Sequence, residues 1–324
     1  MQEDLDMKIS TVALIGPGAI GSYFIWSLAP FLKENFIVIA EGKRKERLEK
    51  NGISINGEIF HPTIKSVKEA GTVDLVIASV KYGNLKEILP DIASLTGKNT
   101  IVFSPMNGVN SEEIIGDKIG KDHIIHSLIR IPSHRTAQKD GPDEITFTIP
   151  TGIMGLYIGK AEQLESSCTQ IEALRNLFDQ SKLHYHISQT IVSDIWSKFY
   201  LNIGQNIPQA IVGCGAGAYE DSEHVRWIRS QLQSELKLIA SAKSISLNQD
   251  IIQNKIKSNK SLINPSARHS TLQDLDAHRH TEIDMLCGYI SEQGKQLNIP
   301  TPYNDFAYHV IKALEEKNDG KFDY

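Results

Sequence analysis

Cysteine is scarce in this chain, and its few copies show no pairing pattern. Cys168, Cys214 and Cys287 are odd in number, far apart and without CxxC spacing. Such a set predicts neither a disulfide framework nor a structural zinc site. We therefore interpret the three residues as reduced thiols.

Long apolar runs and an excess of basic charge are also missing. No segment approaches the roughly 18 apolar residues that a membrane-spanning helix needs. The first residues, Met-Gln-Glu-Asp-Leu-Asp, are acidic where a secretory signal would be basic. The formal net charge of -5 lacks the basic footprint of nucleic-acid binding. We expect a cytoplasmic protein with no membrane and no nucleic-acid partner.

The composition itself is that of an ordinary enzyme. The chain has 324 residues, of which 40% are hydrophobic and 23% charged. That length is enough to bury a large core and to form two domains.

Short β-branched runs alternate with helical patterns in the first half of the chain. Because continuous apolar runs are typical of strands covered by helices on both faces, they predict an α/β fold with a parallel, doubly wound sheet. The predicted strands are 11–15, 36–40, 75–80 and 100–103.

Beyond these strands the pattern changes. Three further runs lack intervening helices, and we expect them to extend the sheet as an antiparallel edge. They are 124–131, 145–149 and 155–158. An amphipathic helix and a short strand at 184–187 follow. The apolar side of that helix consists of Leu164, Ile171, Leu174 and Phe178.

Strand signals end near 189, and helical periodicity continues to the end of the chain. We predict a sheet-containing domain at 1–187 and an all-helical domain at 188–324. Neither an internal repeat nor a low-complexity linker marks the boundary.

A glycine-rich turn follows the first predicted strand. The segment Gly16-Pro17-Gly18-Ala19-Ile20-Gly21 has GxGxxG spacing and leads into a helical pattern, which predicts a Rossmann-type dinucleotide turn. Gly16 permits the tight turn, Gly18 lets backbone N–H groups approach a pyrophosphate, and Gly21 allows close packing of helix on strand. The alternative is a structural turn that binds no nucleotide.

Glu41 ends the second predicted strand, about 20 residues beyond the turn, where an acidic side chain accepts ribose hydroxyls and favours NAD(H). Lys43 and Arg44 come next, and either is long enough to reach a 2′-phosphate and favour NADP(H). Alternatively, Lys43, Arg44, Lys45 and Arg47 form a solvated helix face.

A polar stripe runs through an apolar helical pattern in the second half. Lys198, Asn202 and Asn206 lie at i, i+4 and i+8, so a helix places them on one face. A nucleotide turn and a remote cation indicate a reductase, in which hydride addition to a carbonyl develops negative charge on the oxygen that needs a proton or a fixed positive charge. Lys198 supplies both, and the two amides orient the substrate. The alternatives are a solvent-facing lysine and polar helix contacts.

Taken in order, these residues resemble the ketopantoate reductase family (2-dehydropantoate 2-reductases), part of the 6-phosphogluconate dehydrogenase-like group. The resemblance covers nearly the whole chain. Its motifs are the GxGxxG turn, Val80-Lys81, Asn107-Gly108-Val109, Trp196-x-Lys198 with Asn202 and Asn206, Thr271-Leu-Gln-Asp-Leu275 and Thr281-Glu-Ile-Asp284.

The resemblance implies NADP(H)-dependent reduction of 2-dehydropantoate to (R)-pantoate in pantothenate and coenzyme A biosynthesis. It makes 1–187 the dinucleotide-binding domain and 188–324 the substrate and catalytic domain. Lys198 matches the family's proton donor, and Glu282 is the second candidate catalytic residue. The implied substrate contacts are Asn202, Asn206 and Ser270. The candidate cofactor contacts are the glycine turn, Glu41, Lys43 and Arg44, and the resemblance adds Lys81 and Asn107.

Ser270 and Glu282 set a geometric constraint. On one straight helix, twelve residues span about 18 Å, which is too far for both side chains to contact one small keto acid. We therefore expect the helix to break or begin between them. Ser270-Thr-Leu-Gln273 also fits a capping box, so Ser270 is alternatively a plain N-cap. Likewise, Glu282 is alternatively a surface carboxylate and Asn107-Gly108 a simple turn.

Three positions depart from the family. Glu41 stands where arginine is common, Met106 where a polar residue is frequent, and Ala216 where some members have asparagine. NADH as cofactor and a different 2-keto acid as substrate therefore remain open, as does a nicotinamide-binding sensor without turnover. Monomer and homodimer are both compatible with the sequence.

Two histidine pairs, His184-x-His186 and His278-x-His280, invite a zinc hypothesis. No third ligand follows from the spacing, and hydride transfer needs no metal, so we predict no metal site.

Overall fold

The computed structural model describes residues 7–136, 138, 141–161, 168–253 and 264–324. Leu164 and the acidic residues 1–6, which entered the expectations above, lie outside these ranges. The chain forms two compact units. One contains the residues up to Met106 together with Asn110–Ile191, and the other contains Asn107–Val109 and Val192–Tyr324. The predicted division into functional domains at 187 stays a prediction.

The first unit contains all the strands described. They are β1 (Val12–Ile15), β2 (Phe36–Ile39), β3 (Ile53–Ile55), β4 (Glu58–Phe60), β5 (Thr63–Lys65), β6 (Val73–Ala78), β7 (Thr96–Phe103), β8 (Ile124–Arg130), β9 (Ser133–Thr136), β10 (Asp143–Phe147), β11 (Gly155–Gly159) and β12 (Tyr185–Ile187). Its helices are α1 (Gly21–Leu32), α2 (Gly42–Asn51), α3 (Val67–Ala70), α4 (Leu85–Leu95), α5 (Ser111–Ile119) and α6 (Thr169–Phe178).

The main sheet is the predicted doubly wound sheet. Its eight strands lie in the order β12-β11-β8-β7-β6-β1-β2-β5. The strands from β5 to β8 are parallel. The prediction that 124–131 belongs to an antiparallel edge is therefore wrong, because β8 continues the parallel part of the sheet. The prediction for 155–158 is confirmed, since β11 pairs antiparallel with β8. Along β1, Val12 and Leu14 belong to one hydrophobic cluster and Ala13 and Ile15 to another. Both faces of the strand are therefore covered, as its unbroken apolar run indicates.

The prediction that 145–149 extends the main sheet is wrong. Its observed counterpart, β10, lies in a separate four-stranded sheet of order β4-β3-β10-β9. Buried and exposed residues alternate along β10, because Ile145 and Phe147 point to the core while Glu144 and Thr146 face solvent. A strand with one solvated face suits a sheet covered on one side only, which the apolar content of the run did not reveal.

The second unit is helical throughout the part that the structure describes. Its helices are α7 (Ile191–Val212, whose first residue belongs to the first unit), α8 (Ala218–Asp221), α9 (Glu223–Ala242), α10 (Ser270–Asp276), α11 (Tyr289–Leu297) and α12 (Pro302–Asn318). A π-helical segment, Asp284–Gly288, precedes α11. The chain thus leaves the helix after α10, which confirms the predicted break between Ser270 and Glu282. Within the described ranges, every helix is too short or too polar to traverse a bilayer.

Candidate active site

The glycine turn joins β1 to α1 as predicted. Gly16 has φ +93°, and a Cβ atom there would lie 2.4 Å from the backbone oxygen of Ser79. A Cβ atom at Gly21 would lie 2.1 Å from the oxygen of Gly16. Only glycine satisfies both the left-handed backbone and the close approach of the two segments. These two glycines therefore shape the turn itself.

Gly18 differs because the space beside it is open. An added Cβ atom would meet no heavy atom within 4 Å, and the Gly18 N–H donates to the Gly16 oxygen across the turn at 2.8 Å. Helix α1 begins three residues later with neither a side-chain cap nor an acidic residue in its first turn. Its positive N-terminal end is therefore compatible with an anion such as a pyrophosphate.

Two further predicted cofactor residues follow strands adjacent to β1. The strands β2, β1 and β6 are neighbours and parallel. Glu41 comes two residues after β2, and Lys81 comes three residues after β6. Because parallel strands end at the same edge of a sheet, the glycine turn, Glu41 and Lys81 share the carboxyl edge of the sheet, where doubly wound folds bind their ligands.

The charges around Glu41 are partly paired. Glu41 is exposed at the start of α2. On the same helix, Lys45 binds Glu69 at 2.5 Å and Arg47 binds Asp143 at 2.5 Å, whereas Lys43 and Arg44 are exposed. Lys43, Arg44 and Arg47 are exposed, as a solvated helix face requires, whereas Lys45 is half-buried in its ion pair.

Two pKa shifts show how charge is distributed around Glu41 and Arg44. Partial burial and the nearby carboxylate of Glu41 raise the pKa of Asp91. Partial desolvation and the charges of Arg135 and Arg47 lower the pKa of Arg44, which stays protonated. The region therefore has an acidic side at Glu41 and Asp91 and a basic side at Arg44.

The polar stripe lies on α7. Lys198 and Asn202 are half-buried and Asn206 is buried, at successive turns of one helix face. The same helix packs into an aromatic cluster in which Trp196 and Phe199 make edge contacts with each other and with Tyr289. This packing fixes the rotation of α7 and therefore the direction of its polar face.

The fold brings two pairs of predicted site residues together in the second unit. The Asn206 amide donates to the Ser270 hydroxyl at 3.2 Å, across 64 residues of sequence. The Asn107 amide donates to the Glu282 carboxylate at 3.2 Å, across 175 residues. Ser270 is the first residue of α10, whose N-cap is His269, so the N-cap alternative for Ser270 is wrong.

Comparison with known proteins identifies the group to which this chain belongs. The family described as "Ketopantoate reductase PanE/ApbA" matches residues 12–162, and "Ketopantoate reductase PanE/ApbA C terminal" matches residues 190–315. The chain belongs to the ketopantoate reductase family. It is an oxidoreductase, as the family and its named relatives are.

Named relatives span almost the whole chain. The 2-dehydropantoate 2-reductase of Streptococcus pyogenes serotype M3 is 24% identical over 312 residues, which cover 94% of this chain and 97% of that protein. A solved ketopantoate reductase of Ralstonia eutropha JMP134 aligns with TM-score 0.80 at 23% identity, covering 95% of this chain and 99% of the other. D-mandelate dehydrogenase with NADH and anilino(oxo)acetate aligns with TM-score 0.81 at 23% identity and the same coverage. The fold is shared, and family members bind a nicotinamide cofactor.

Gln209 is a residue of this family member that the sequence analysis missed. Its side chain is fully buried, accepts from the His269 N–H at 2.8 Å and donates to the Ala267 oxygen at 3.1 Å. It thus holds the backbone that leads into Ser270. The available signal was its position, three residues after Asn206 on the same helix.

The histidines are occupied with local contacts. His184, the residue before β12, and His186, within the strand, have rings 5.1 Å apart. Each ring contacts a backbone oxygen. His280 binds Asp319 at 3.0 Å. Over the ranges that the structure describes, no group of three histidine, cysteine or acidic side chains is arranged to hold a metal ion.

Proposed function

We propose that the protein reduces 2-dehydropantoate to (R)-pantoate, a step of pantothenate and hence coenzyme A biosynthesis. The observation that carries this proposal is the pairing of Asn206, on the helix of Lys198, with Ser270 and the pairing of Asn107 with Glu282, in a member of this family. Amides, a hydroxyl, a carboxylate and an ammonium suit a small substrate with a carboxylate, a carbonyl and a hydroxyl. Action in the cytoplasm stays a prediction.

The roles follow from the chemistry of each group. The glycine turn, with the open side of Gly18, would hold the pyrophosphate of a dihydronicotinamide cofactor, which would supply the hydride when bound. Lys198 stabilises the negative charge that develops on the carbonyl oxygen and donates a proton to it, so that the ketone becomes a secondary alcohol. Asn202 and Asn206 donate hydrogen bonds to the substrate carboxylate, and Glu282, held by Asn107, accepts one from the substrate hydroxyl.

The test of this assignment is Lys198→Ala. Loss of the proton donor is expected to lower kcat by about 10²–10⁴-fold, with the Kd of the nicotinamide cofactor changed less than about twofold, since the cofactor contacts lie elsewhere. Steady-state kinetics and fluorescence titration measure both quantities. Lys295→Ala, an exposed lysine of α11, is the matched control and should behave as wild type. Full turnover in Lys198→Ala would reject the mechanism.

A second candidate is a reductase for another 2-keto acid. It is favoured by the likeness to D-mandelate dehydrogenase and by Met106, a buried apolar residue next to Asn107. Values of kcat/KM for 2-dehydropantoate, pyruvate and an aryl 2-keto acid separate the two. A pocket that bonds the pantoate hydroxyl should reject analogues without that hydroxyl by 10-fold or more, whereas preference for the aryl acid would favour the second candidate.

For the cofactor we propose a preference for NADH over NADPH. Glu41 stands where it would meet the ribose hydroxyls, Asp91 adds a second carboxylate nearby, and Lys45 and Arg47 are held by other acidic groups. A 2′-phosphate would be repelled by this acidic side. The resemblance to the family favours NADPH instead, through Lys43 and Arg44, so the two cofactors make opposite predictions.

The change Glu41→Arg distinguishes them. It should weaken the binding of NADH and strengthen the binding of NADPH by about 10-fold each, or about 1.4 kcal/mol. The reason is that a side chain that accepts hydrogen bonds from ribose hydroxyls is replaced by one that donates hydrogen bonds to a 2′-phosphate. Titration with each cofactor measures the change. Glu46→Arg, an exposed position on the same helix, makes the same charge change without facing the ribose. Wild-type protein that binds NADPH more tightly than NADH would contradict the proposal.

A further inference from the structure

The segment that carries Glu282 is held from both sides by one face of α12. Tyr308, Lys312 and Glu315 lie at i, i+4 and i+7 of this helix, so their side chains share a face. On the segment, Thr281 precedes Glu282 directly and Asp284 follows two residues later. The contacts of the three α12 residues reach both of these neighbours.

On the N-terminal side, the contact is a buried carboxylate. Glu315 is 2% exposed, and its Oε1 accepts from the backbone N–H of Thr281 at 2.7 Å and from the Thr281 hydroxyl at 2.6 Å. Bonds of this length to an ionised acceptor are among the stronger hydrogen bonds in proteins. They restrict the backbone immediately before Glu282.

On the C-terminal side, two α12 residues hold Asp284. The Tyr308 hydroxyl donates to Asp284 at 2.9 Å, and Lys312 Nζ lies 3.4 Å from the other carboxylate oxygen. Lys312 also contacts Glu315 at 2.9 Å, so it connects the two sides. Partial burial opposes protonation of Lys312, but Glu315 and Asp284 together raise the pKa of Lys312, so this bridge stays charged.

We propose that Tyr308, Lys312 and Glu315 form a bracket that positions Glu282 for the substrate hydroxyl, with Glu315 as its principal positioning residue. This inference rests on the proposed function, because it gives Glu282 a role toward substrate. A side chain that bonds substrate must be held within a fraction of an ångström, and such precision comes from the groups that fix its own backbone. Asn107 orients the carboxylate itself, and the bracket fixes the chain on either side of it.

The test is a double-mutant cycle of Glu315→Gln and Glu282→Gln. Glu315→Gln keeps the shape but removes the charge, and it should lower kcat/KM for the keto acid about 10-fold while the cofactor Kd stays unchanged. If Glu315 acts through Glu282, the double variant should have the same kcat/KM as Glu282→Gln alone. The melting temperature, by contrast, should fall with Glu315→Gln in both backgrounds.

Matched controls separate positioning from general damage. Glu316→Gln alters the next residue, which is half-exposed and paired with Lys321, and it should leave kcat/KM unchanged. Lys312→Met removes the link between the two sides and serves as the second variant if Glu315→Gln does not fold. It should show the same coupling to Glu282.

Two results would overturn the bracket. One is a Glu315→Gln variant with a lowered melting temperature but an unchanged kcat/KM. The other is a double variant whose fold-loss in kcat/KM equals the product of the losses of the two single variants. Full turnover in Glu282→Gln alone would remove Glu282 from the proposed site and the bracket with it. Failure of Lys198→Ala to lower kcat would instead reject the proposed function.

Discussion

At the scale of single residues, Gln209 shows how one buried amide organises a binding group. Both of its hydrogen-bonding ends are used, one by the His269 N–H and one by the Ala267 oxygen. A buried amide costs free energy unless it is paired, so this side chain and the loop determine each other's position. Ser270 follows the loop directly and meets Asn206.

Replacing Gln209 by leucine tests this arrangement. The change removes the acceptor of the His269 N–H, while the Ala267 oxygen keeps its hydrogen bond from the Ala216 N–H, so we expect a loss of about 1–3 kcal/mol in the free energy of unfolding. KM for the keto acid should rise more than kcat falls, because Ser270 is displaced while Lys198 is not. Denaturant melts and steady-state kinetics measure the two effects.

Gln231→Leu on α9 is the control, because this glutamine is half-buried and its side chain contacts only Ser230 among the hydrogen bonds described. It should stay within about 0.5 kcal/mol of wild type. A Gln209→Leu protein with unchanged KM would show that the loop holds Ser270 without this amide.

At the scale of elements, α7 depends on a close approach by α9. A Cβ atom at Gly204 would lie 2.1 Å from Nε2 of Gln233, which is itself buried and donates to the Tyr200 oxygen at 3.0 Å. Glycine is usually a poor helix residue, but here it allows the second helix to satisfy a backbone carbonyl of the first.

The substitution Gly204→Ala should therefore destabilise the second unit. We expect a loss of about 1–3 kcal/mol from overpacking, because Gln233 must move and lose its hydrogen bond. Gly83→Ala is the control, since a Cβ atom there would meet no heavy atom within 4 Å. Thermal melts of both variants measure the difference, and equal melting temperatures would argue against the close contact.

The elements differ in how far their sequence reveals them. The hairpin of β3 and β4 turns at Asn56-Gly57, with φ of +50° and +86°, and this dipeptide is a strong local hairpin signal that the sequence analysis left unused. The partner of β10 had no such signal. Its pairing with β3 joins residues about 90 apart, and one-sided burial rather than apolar content decided its sheet.

At the scale of the whole molecule, His126 links stability to pH. Burial, with the nearby cation of Lys160, lowers the pKa of His126 to about 4. The ordinary value is about 6.5, so the unfolded chain binds this proton more readily than the folded one. The contribution of neutral His126 to the free energy of unfolding is therefore fully present above pH 6.5 and is lost as the pH falls toward 4.

The variant His126→Phe should remove that part of the pH dependence. We expect the wild type to lose up to roughly 3 kcal/mol between pH 6.5 and 4 through this group, and the variant to have a correspondingly flatter profile. Melting temperatures across this range measure the slope. His224→Gln alters a histidine that is 89% exposed and should keep the wild-type slope. If the melting temperatures of His126→Phe and of the wild type changed equally with pH, that result would contradict the lowered pKa of His126.

What the sequence determined by itself is local. The sequence pattern predicted the strands of the main sheet except β5, the GxGxxG spacing predicted its turn, and the i, i+4, i+8 spacing of Lys198, Asn202 and Asn206 predicted one helix face. Each depends on the period of a single element, which is legible along a short segment.

Only the tertiary structure decided which segments meet. The contact of Asn107 with Glu282 joins residues 175 apart, and the contact of Glu315 with Thr281 joins two segments with no shared local pattern. Such pairs form because helices and strands that are distant in sequence pack around a common core. Which residues meet depends on how these elements pack together, and no single element specifies it.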